Sequence, residues 1–102
     1  MIERILVSTV LGVAFLSAPV FADHALAQAK GCMACHQVEA KLVGPAYKEV
    51  AAKYKADANA ASALAGKIKA GGTGVWGAIP MPPQPMLSDD EAAKLAAWVM
   101  SF

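Results

Sequence analysis

The sequence predicts an all-α domain of about four helices, and three observations indicate that class. Apolar residues recur at spacings of three and four in several segments, as they do on one face of a helix. Between those segments, no stretch alternates apolar and polar residues as a half-buried strand does. Helix boundary signals separate the segments. At 102 residues and a net charge of +1, the chain has room for one small domain and no charge pattern that indicates a nucleic-acid partner.

Residues 1–22 have the three parts of a secretory signal. A short start with Arg4 precedes an apolar run at residues 5–16, and small residues then lead to Ala22. A membrane span needs about 20 apolar residues, so this shorter, interrupted run favours cleavage over a retained anchor. We predict a cleaved signal peptide at 1–22 and a mature domain at 23–102, exported to an oxidising compartment.

The first two helices follow from capping signals and spacing. Asp23 is suited to cap a first helix that runs to Lys30, and Gly31 lies where a helix end commonly needs a left-handed residue. Pro45 suits the first position of the second helix. Residues at the offsets of one apolar stripe follow it, namely Tyr47, Val50, Ala51 and Tyr54.

The third helix is predicted from about residue 60 to residue 70. Asp57 or Asn59 would begin it, Gly71 would end it, and the internal Gly66 indicates a close contact. Leu64 and Ile68 share one of its faces.

The fourth helix begins at a capping box, in which Ser88 and Glu91 satisfy each other's backbone amides. Asp90 and Lys94 have the spacing of an ion pair on its exposed side. Its predicted buried stripe, flanked by Trp98 and Phe102, consists of Ala92, Leu95, Ala96 and Val99.

The loop at residues 71–87, between the third and fourth helices, has no periodicity and is rich in glycine and proline. A loop of that length in so small a domain is usually functional or disordered. Because each proline fixes its own φ and restricts the residue before it, we expect a stiff, defined path suited to presenting a ligand.

The chemistry-bearing motif is Cys32-Met33-Ala34-Cys35-His36, the C-x-x-C-H pattern of covalent haem attachment. Both thiols would bond to porphyrin vinyl groups, and His36 would reach the iron. Three other interpretations fit less well. A thioredoxin-like pair needs a βαβ context, structural zinc needs four ligands where only His24 and His36 accompany the thiols, and a simple disulfide leaves His36 without a role.

The second axial position decides between electron transfer and catalysis, because an open site admits small ligands and a filled one does not. The candidates are the methionines at positions 33, 81, 86 and 100, with His24, which we interpret as an exposed polar side chain. Prolines on both sides of Met81 reduce the entropy of presenting its sulfur and favour it over Met86.

The mature chain resembles the small bacterial class I cytochromes c of the cytochrome c-551 (cytochrome c8) family. Four blocks in order carry the resemblance: residues 30–36, 42–48, 74–83 and 88–91. The resemblance implies the class I cytochrome c fold, with about four helices around one covalently bound haem c. We also expect a monomer, and the export signal favours a location in the periplasm.

The family's site residues are implied at matching positions. His36 and Met81 would be the axial iron ligands, the Pro45 carbonyl would accept from the other imidazole nitrogen, and Trp76 would donate to a haem propionate. Trp76 could equally be ordinary core. Lys67 stands where the family commonly has an arginine near a propionate.

The loop after the prolines also departs from the family. Gln84 stands where an asparagine is frequent, and the stretch at 84–87 is one residue longer than usual. These departures concern the surroundings of the methionine sulfur and not the ligand set.

The function so implied is outer-sphere one-electron transfer by a protein that is not an enzyme. A membrane cytochrome complex would be the donor and a terminal reductase, an oxidase or a photosynthetic reaction centre the acceptor. Lys30, Lys41 and Lys67 would be either part of the docking surface or merely solvated. The alternative function is a haem enzyme or gas sensor in which Met81 is displaced.

Overall fold

The computed structural model describes residues 20–102, with side chains from Asp23 onward. Most of the predicted signal peptide, residues 1–19, lies outside the described residues. Four helices follow, α1 (Val20–Ala29), α2 (Tyr47–Tyr54), α3 (Ala60–Ala70) and α4 (Asp89–Val99), with a short 3₁₀ helix at Cys32–Ala34. Residues 20–102 contain no strand, so the predicted all-α class is confirmed.

Helix α1 differs from its prediction at both ends. It begins at Val20, three residues before Asp23, so Asp23 lies inside the first turn rather than at the cap. It ends at Ala29, and Gly31 adopts the expected left-handed conformation with φ of +77°. Cleavage after Ala22 would remove its first three residues.

Helix α2 begins two residues after Pro45, because Ala46 is still extended with ψ of 144°. The amides of the first turn donate to the loop that follows the cysteine motif: Tyr47 N–H to the Gln37 carbonyl at 2.9 Å and Lys48 N–H to the Val38 carbonyl at 3.1 Å. These bonds satisfy donors that have no partner within the helix, and they fix α2 against the motif.

Helix α3 has the predicted bounds, and Asp57, one of its two predicted starting residues, caps it, but the expectation about Gly66 was wrong. The Asn59 side chain makes no capping bond; instead Asp57 accepts the Asn59 amide through its side chain at 2.8 Å and the Ala60 amide through its carbonyl at 3.2 Å. A Cβ built on Gly66 meets nothing within 4 Å, so this glycine marks no close contact.

Helix α4 begins with the predicted capping box. Glu91 N–H donates to Ser88 Oγ at 3.1 Å, and Ser88 N–H donates to Glu91 Oε1 at 3.1 Å. Within the described residues, the expected Asp90–Lys94 pair does not form. The acidic first turn instead pairs with other segments, Glu91 with Lys30 at 3.3 Å and Asp89 with Lys69.

The hydrophobic core lies where α4 packs against the other three helices. Trp98 is the centre of its aromatic part, in edge contact with Tyr47 and Phe102 and stacked on His24. The buried members of the core are Ala27, Tyr47, Val50, Leu87, Leu95, Trp98 and Val99. Alanines supply much of the rest, so the protein side chains form only a small core.

Candidate haem site

The cysteine motif forms a single tight turn directly after α1. Gly31 reverses the chain, and the amides of Cys35 and His36 both donate to the Cys32 carbonyl, at 3.2 and 3.1 Å. Cys32 and Cys35 are not joined by a disulfide, and both line the same cavity as His36. Burial raises the pKa of the Cys32 thiol above its ordinary value, and a backbone hydrogen bond partly offsets this.

The His36 ring is held from three sides. Its Nδ1 donates to the Pro45 carbonyl at 2.8 Å, so Nδ1 carries the proton and Nε2 has its lone pair free. Tyr47 stacks on the ring with centroids 5.1 Å apart and planes within 18°. At Gly44, a Cβ would lie 2.4 Å from His36 Cε1, so only glycine allows the chain to pass this close.

The cavity has a volume of about 310 Å³ and lies between the cysteine motif, α3, α4 and the loop at residues 71–87. Its wall is mainly apolar, and no aspartate or glutamate among the described residues lines it. Burial raises the pKa of the Tyr47 hydroxyl well above its ordinary range, so this wall residue stays neutral. The apolar lining includes Val50, Leu64, Ile68, Leu95 and Val99.

Met81 lines the same cavity from the irregular loop. Its backbone forms an isolated antiparallel bridge with Gly72: Met81 N–H donates to the Gly72 carbonyl at 2.8 Å, and Gly72 N–H donates back at 3.1 Å. Three residues on, Gln84 N–H donates to the Lys69 carbonyl at 2.9 Å. Met86, by contrast, is 88% exposed and does not line the cavity.

Trp76 and Lys67 both line the cavity, and both are exposed. Trp76 is 39% exposed, so the alternative of ordinary core does not describe it. Lys53, on α2, lies over its ring at 5.5 Å from the centroid, which is within cation–π range. The expectation that His24 is a free surface side chain was wrong, because its ring is half-buried and stacks on Trp98 at 5.6 Å.

Four residues with a structural part in the site were missed by the sequence reasoning. Their helical spacing predicts only packing for Tyr47 and Trp98, although both line the cavity. Gly44 and Gly71 lie against other segments so closely that a Cβ would clash. A Gly-Pro pair eight residues after a motif histidine was the available signal for Gly44; Gly71 had none beyond its place at a helix end.

The donor set fits covalently attached haem. Two free thiols spaced by one turn could form both thioethers, and His36 Nε2 and the Met81 sulfur are a nitrogen and a thioether donor on one mainly apolar cavity. Among the residues that the structure describes, no three of the His, Cys, Asp or Glu side chains group into a metal site, whereas structural zinc needs four ligands.

Comparison with known proteins defines the class. The family model for cytochrome c matches residues 24–102, and the chain belongs to this family as a small class I cytochrome c. It therefore binds one haem c covalently and transfers electrons.

The similar proteins are small bacterial cytochromes. Cytochrome c-552 of Hydrogenobacter thermophilus is 51% identical over 98% of both chains. Cytochrome c-551 of Pseudomonas aeruginosa is 60% identical over 71% of this chain and 68% of its own. The crystal structure of wild-type Nitrosomonas europaea cytochrome c552 superposes with a TM-score of 0.75 at 55% identity, covering 76% of this chain and 96% of that one.

Proposed function

We propose that this cytochrome is a periplasmic one-electron carrier in which His36 Nε2 and the Met81 sulfur ligate the haem iron and Cys32 and Cys35 form the thioethers. The observation that best supports this proposal is that His36 and Met81, which belong to separate segments of the chain, line one cavity together with both thiols. Bound haem c supplies the ferrous–ferric couple. With His36 and Met81 both holding the iron, no position would be left for a substrate, and the bound haem would supply outer-sphere electron transfer.

The protein's part in this function is to hold the ligands and set the environment. The Pro45 carbonyl fixes the tautomer and raises the basicity of His36. A thioether ligand and an apolar wall favour the reduced state and so raise the reduction potential. Trp76 and Lys67 are proposed to face the propionates, with Trp76 as donor and Lys67 as counter-charge.

Partner contact is proposed at the exposed part of the cavity rim. Val43, Val75 and Ile79 line the cavity and are at least 46% exposed, an apolar surface suited to brief contacts. Lys41 and Lys67 lie on the same rim, whereas Lys30 pairs with Glu91. The proposed partners are a membrane cytochrome complex as donor and a terminal reductase, oxidase or photosynthetic reaction centre as acceptor.

The proposed location rests on the signal-like residues 1–22, whose removal would leave the domain at 23–102. Within the described residues, no helix has the length and apolar character required to cross a membrane. N-terminal sequencing of the protein from a periplasmic extract tests both parts, with Asp23 expected as the first residue. A chain that retains its N-terminus, or one found only in the cytoplasm, would contradict this location.

The test of ligation is the absorption spectrum of the oxidised holoprotein. A weak near-infrared iron–sulfur band is expected in the wild type and in the control Met86→Ala, and its loss is expected in Met81→Ala. Slow or negligible uptake of cyanide, and of carbon monoxide after reduction, is expected of the wild type. Fast uptake would instead favour the alternative of an enzyme or gas sensor. The described cavity lining offers no carboxylate for acid–base catalysis, so it does not support an enzyme.

A further inference from the structure

We propose that Gly71, at the end of α3, is the positioning residue that keeps Met81 on the iron and thereby keeps small ligands away from it. The inference rests on the proposed function, because it takes Met81 as a ligand. It assigns the stability of the iron–sulfur bond to a backbone contact between α3 and the loop, in addition to the prolines that flank the methionine.

The first observation is the conformation and surroundings of Gly71. Its φ is +69°, in the region that side chains rarely adopt, and its amide donates to the Lys67 carbonyl at 2.7 Å. A Cβ at this position would lie 2.5 Å from the Met81 carbonyl oxygen, 2.7 Å from Pro83 N and 2.9 Å from the Pro82 carbonyl carbon. All three are backbone atoms, which cannot rotate away from it.

The second observation is the set of hydrogen bonds on either side of that contact. The Gly72–Met81 bridge supplies two of them, and the bond from Gln84 N–H to the Lys69 carbonyl supplies a third. We name residues 69–72 and 81–84 together the α3–loop clamp. Within the described part of the chain, these bonds are made by backbone atoms, so the position of Met81 depends on where the clamp holds its backbone.

The prolines and the clamp do different things. A proline fixes its own φ and restricts its predecessor, so Pro80 and Pro82 limit the shapes available to the loop. They do not determine where the loop lies relative to α3. Because Gly71 allows the two backbones to touch, it determines that separation, and a Cβ there would push Met81 away from α3.

The neighbouring glycine provides a matched control. A Cβ on Gly72 meets nothing within 4 Å, and its φ is not in the positive range. Gly71→Ala and Gly72→Ala therefore add the same methyl group to adjacent residues of the clamp, and only the first displaces the loop.

The test is the affinity of the ferric holoprotein for cyanide, measured far from unfolding conditions. Because the added Cβ overpacks the contact with the loop, Gly71→Ala should bind cyanide about tenfold more tightly, a change that corresponds to roughly 1.4 kcal/mol. The near-infrared iron–sulfur band should weaken in the same variant. Gly72→Ala should keep the wild-type affinity within about twofold.

A third variant separates positioning from general loss of stability. Ala27→Gly weakens α1 at a fully buried residue that does not line the cavity, and it should lower stability without changing cyanide affinity. Equal cyanide affinities in Gly71→Ala and Gly72→Ala would overturn the proposal. So would an increase in Ala27→Gly as large as that in Gly71→Ala.

Two further outcomes keep the test decisive. If Gly71→Ala does not retain haem, a second pair of variants replaces it. Gln84→Pro removes the third hydrogen bond of the clamp, whereas Gln84→Ala keeps it. Equal cyanide affinities in this pair would overturn the proposal. If the wild type and Met81→Ala bind cyanide equally well, Met81 is not a ligand. The proposed function then fails, which is a different result from an intact wild type with no effect at Gly71.

Discussion

The two sides of the haem site are built differently. On the side of His36, a proposed ligand, the contacts that hold the ring come from residues 31–47, a short and nearly continuous stretch. On the Met81 side, the contacts are made by backbone atoms, and they join residues 69–72, at the end of α3, to residues 81–84 of the loop that follows. The histidine is held by its own side-chain contacts, whereas the methionine is held by its backbone. Substitutions near His36 should therefore affect cofactor attachment and stability, and those near Met81 should affect coordination.

The largest effect is expected from removing both thiols. Cys32→Ala with Cys35→Ala should abolish covalent haem, because no other described residue of this turn can form a thioether. Pyridine haemochrome absorbance of the denatured, extracted protein measures it. Without haem the small core should leave the chain poorly structured by circular dichroism.

The control for that loss is Met33→Leu, which changes a side chain between the two cysteines and leaves both thiols in place. It should retain a full complement of haem. Covalent haem in the double variant would show that the thiols are not the attachment points, and its loss in the control would show that attachment needs more than the two thiols.

The next effect is expected at Gly44. Gly44→Ala places a Cβ within 3.0 Å of three His36 ring atoms, so it should lower the free energy of unfolding by about 1–3 kcal/mol. Gly66→Ala, inside α3 with open space around it, should raise that free energy by about 0.5–1 kcal/mol. Denaturant titration of both holoproteins checks the pair, and a loss at Gly66 as large as that at Gly44 would refute the steric argument.

A smaller effect is expected from the ring stacked on His36. Tyr47→Phe keeps the ring and should change little, whereas Tyr47→Leu loses an aromatic contact worth about 0.5–1.5 kcal/mol. Because the ring also orients the imidazole, the proton resonances of the ferric haem methyl groups should shift in the leucine variant alone. Identical methyl spectra in both variants would mean that the stack does not orient His36.

The smallest effect concerns two ion pairs of α4, one between Glu91 and Lys30 beside the cysteine motif and one between Asp89 and Lys69 at the end of α3. The Ser88 amide and then Lys30 hold the pKa of Glu91 below its ordinary 4.5, and a hydrogen bond from Lys69 and then its charge hold the pKa of Asp89 below 3.8. Because both values are lowered on folding, their stabilisation is present above the unfolded pKa and is lost as pH falls through the folded one.

Thermal unfolding between about pH 5 and pH 3 measures this loss. The melting temperature of Glu91→Gln and Asp89→Asn should depend on pH less steeply than that of the wild type. Asp90→Asn is the control, since Asp90 makes no ion pair among the described residues. If the melting temperatures of both variants depend on pH as steeply as that of the wild type, the two carboxylates do not have lowered pKa values in the folded protein.

Much of the fold could be predicted from local signals. The bounds of α3, the capping box at Ser88 and the left-handed Gly31 each depend on a few neighbouring residues, and all three were confirmed. The start of α2 could not be predicted, because it depends on carbonyls of the preceding loop that accept its first amides. The pairing of the first turn of α4 with Lys30 and Lys69 is likewise a tertiary contact.

The candidate site likewise has a part that local sequence signals predict and a part that depends on tertiary contacts. The cysteine motif consists of consecutive residues, so its chemistry could be predicted from the amino-acid sequence alone. The approach of Gly71 to Met81 depends on two segments that meet only in the folded chain, and the stack of His24 on Trp98 depends on how α1 crosses α4. No spacing within either segment indicates these contacts.

The most direct test of the central claim is the proton NMR spectrum of the reduced holoprotein. A methionine methyl group bound to haem iron is shifted strongly upfield by the ring current of the porphyrin. The account predicts one such methyl signal in the wild type, its retention in Met86→Ala and its loss in Met81→Ala. Absence of the signal from the wild type, or its loss in Met86→Ala and not in Met81→Ala, would contradict it.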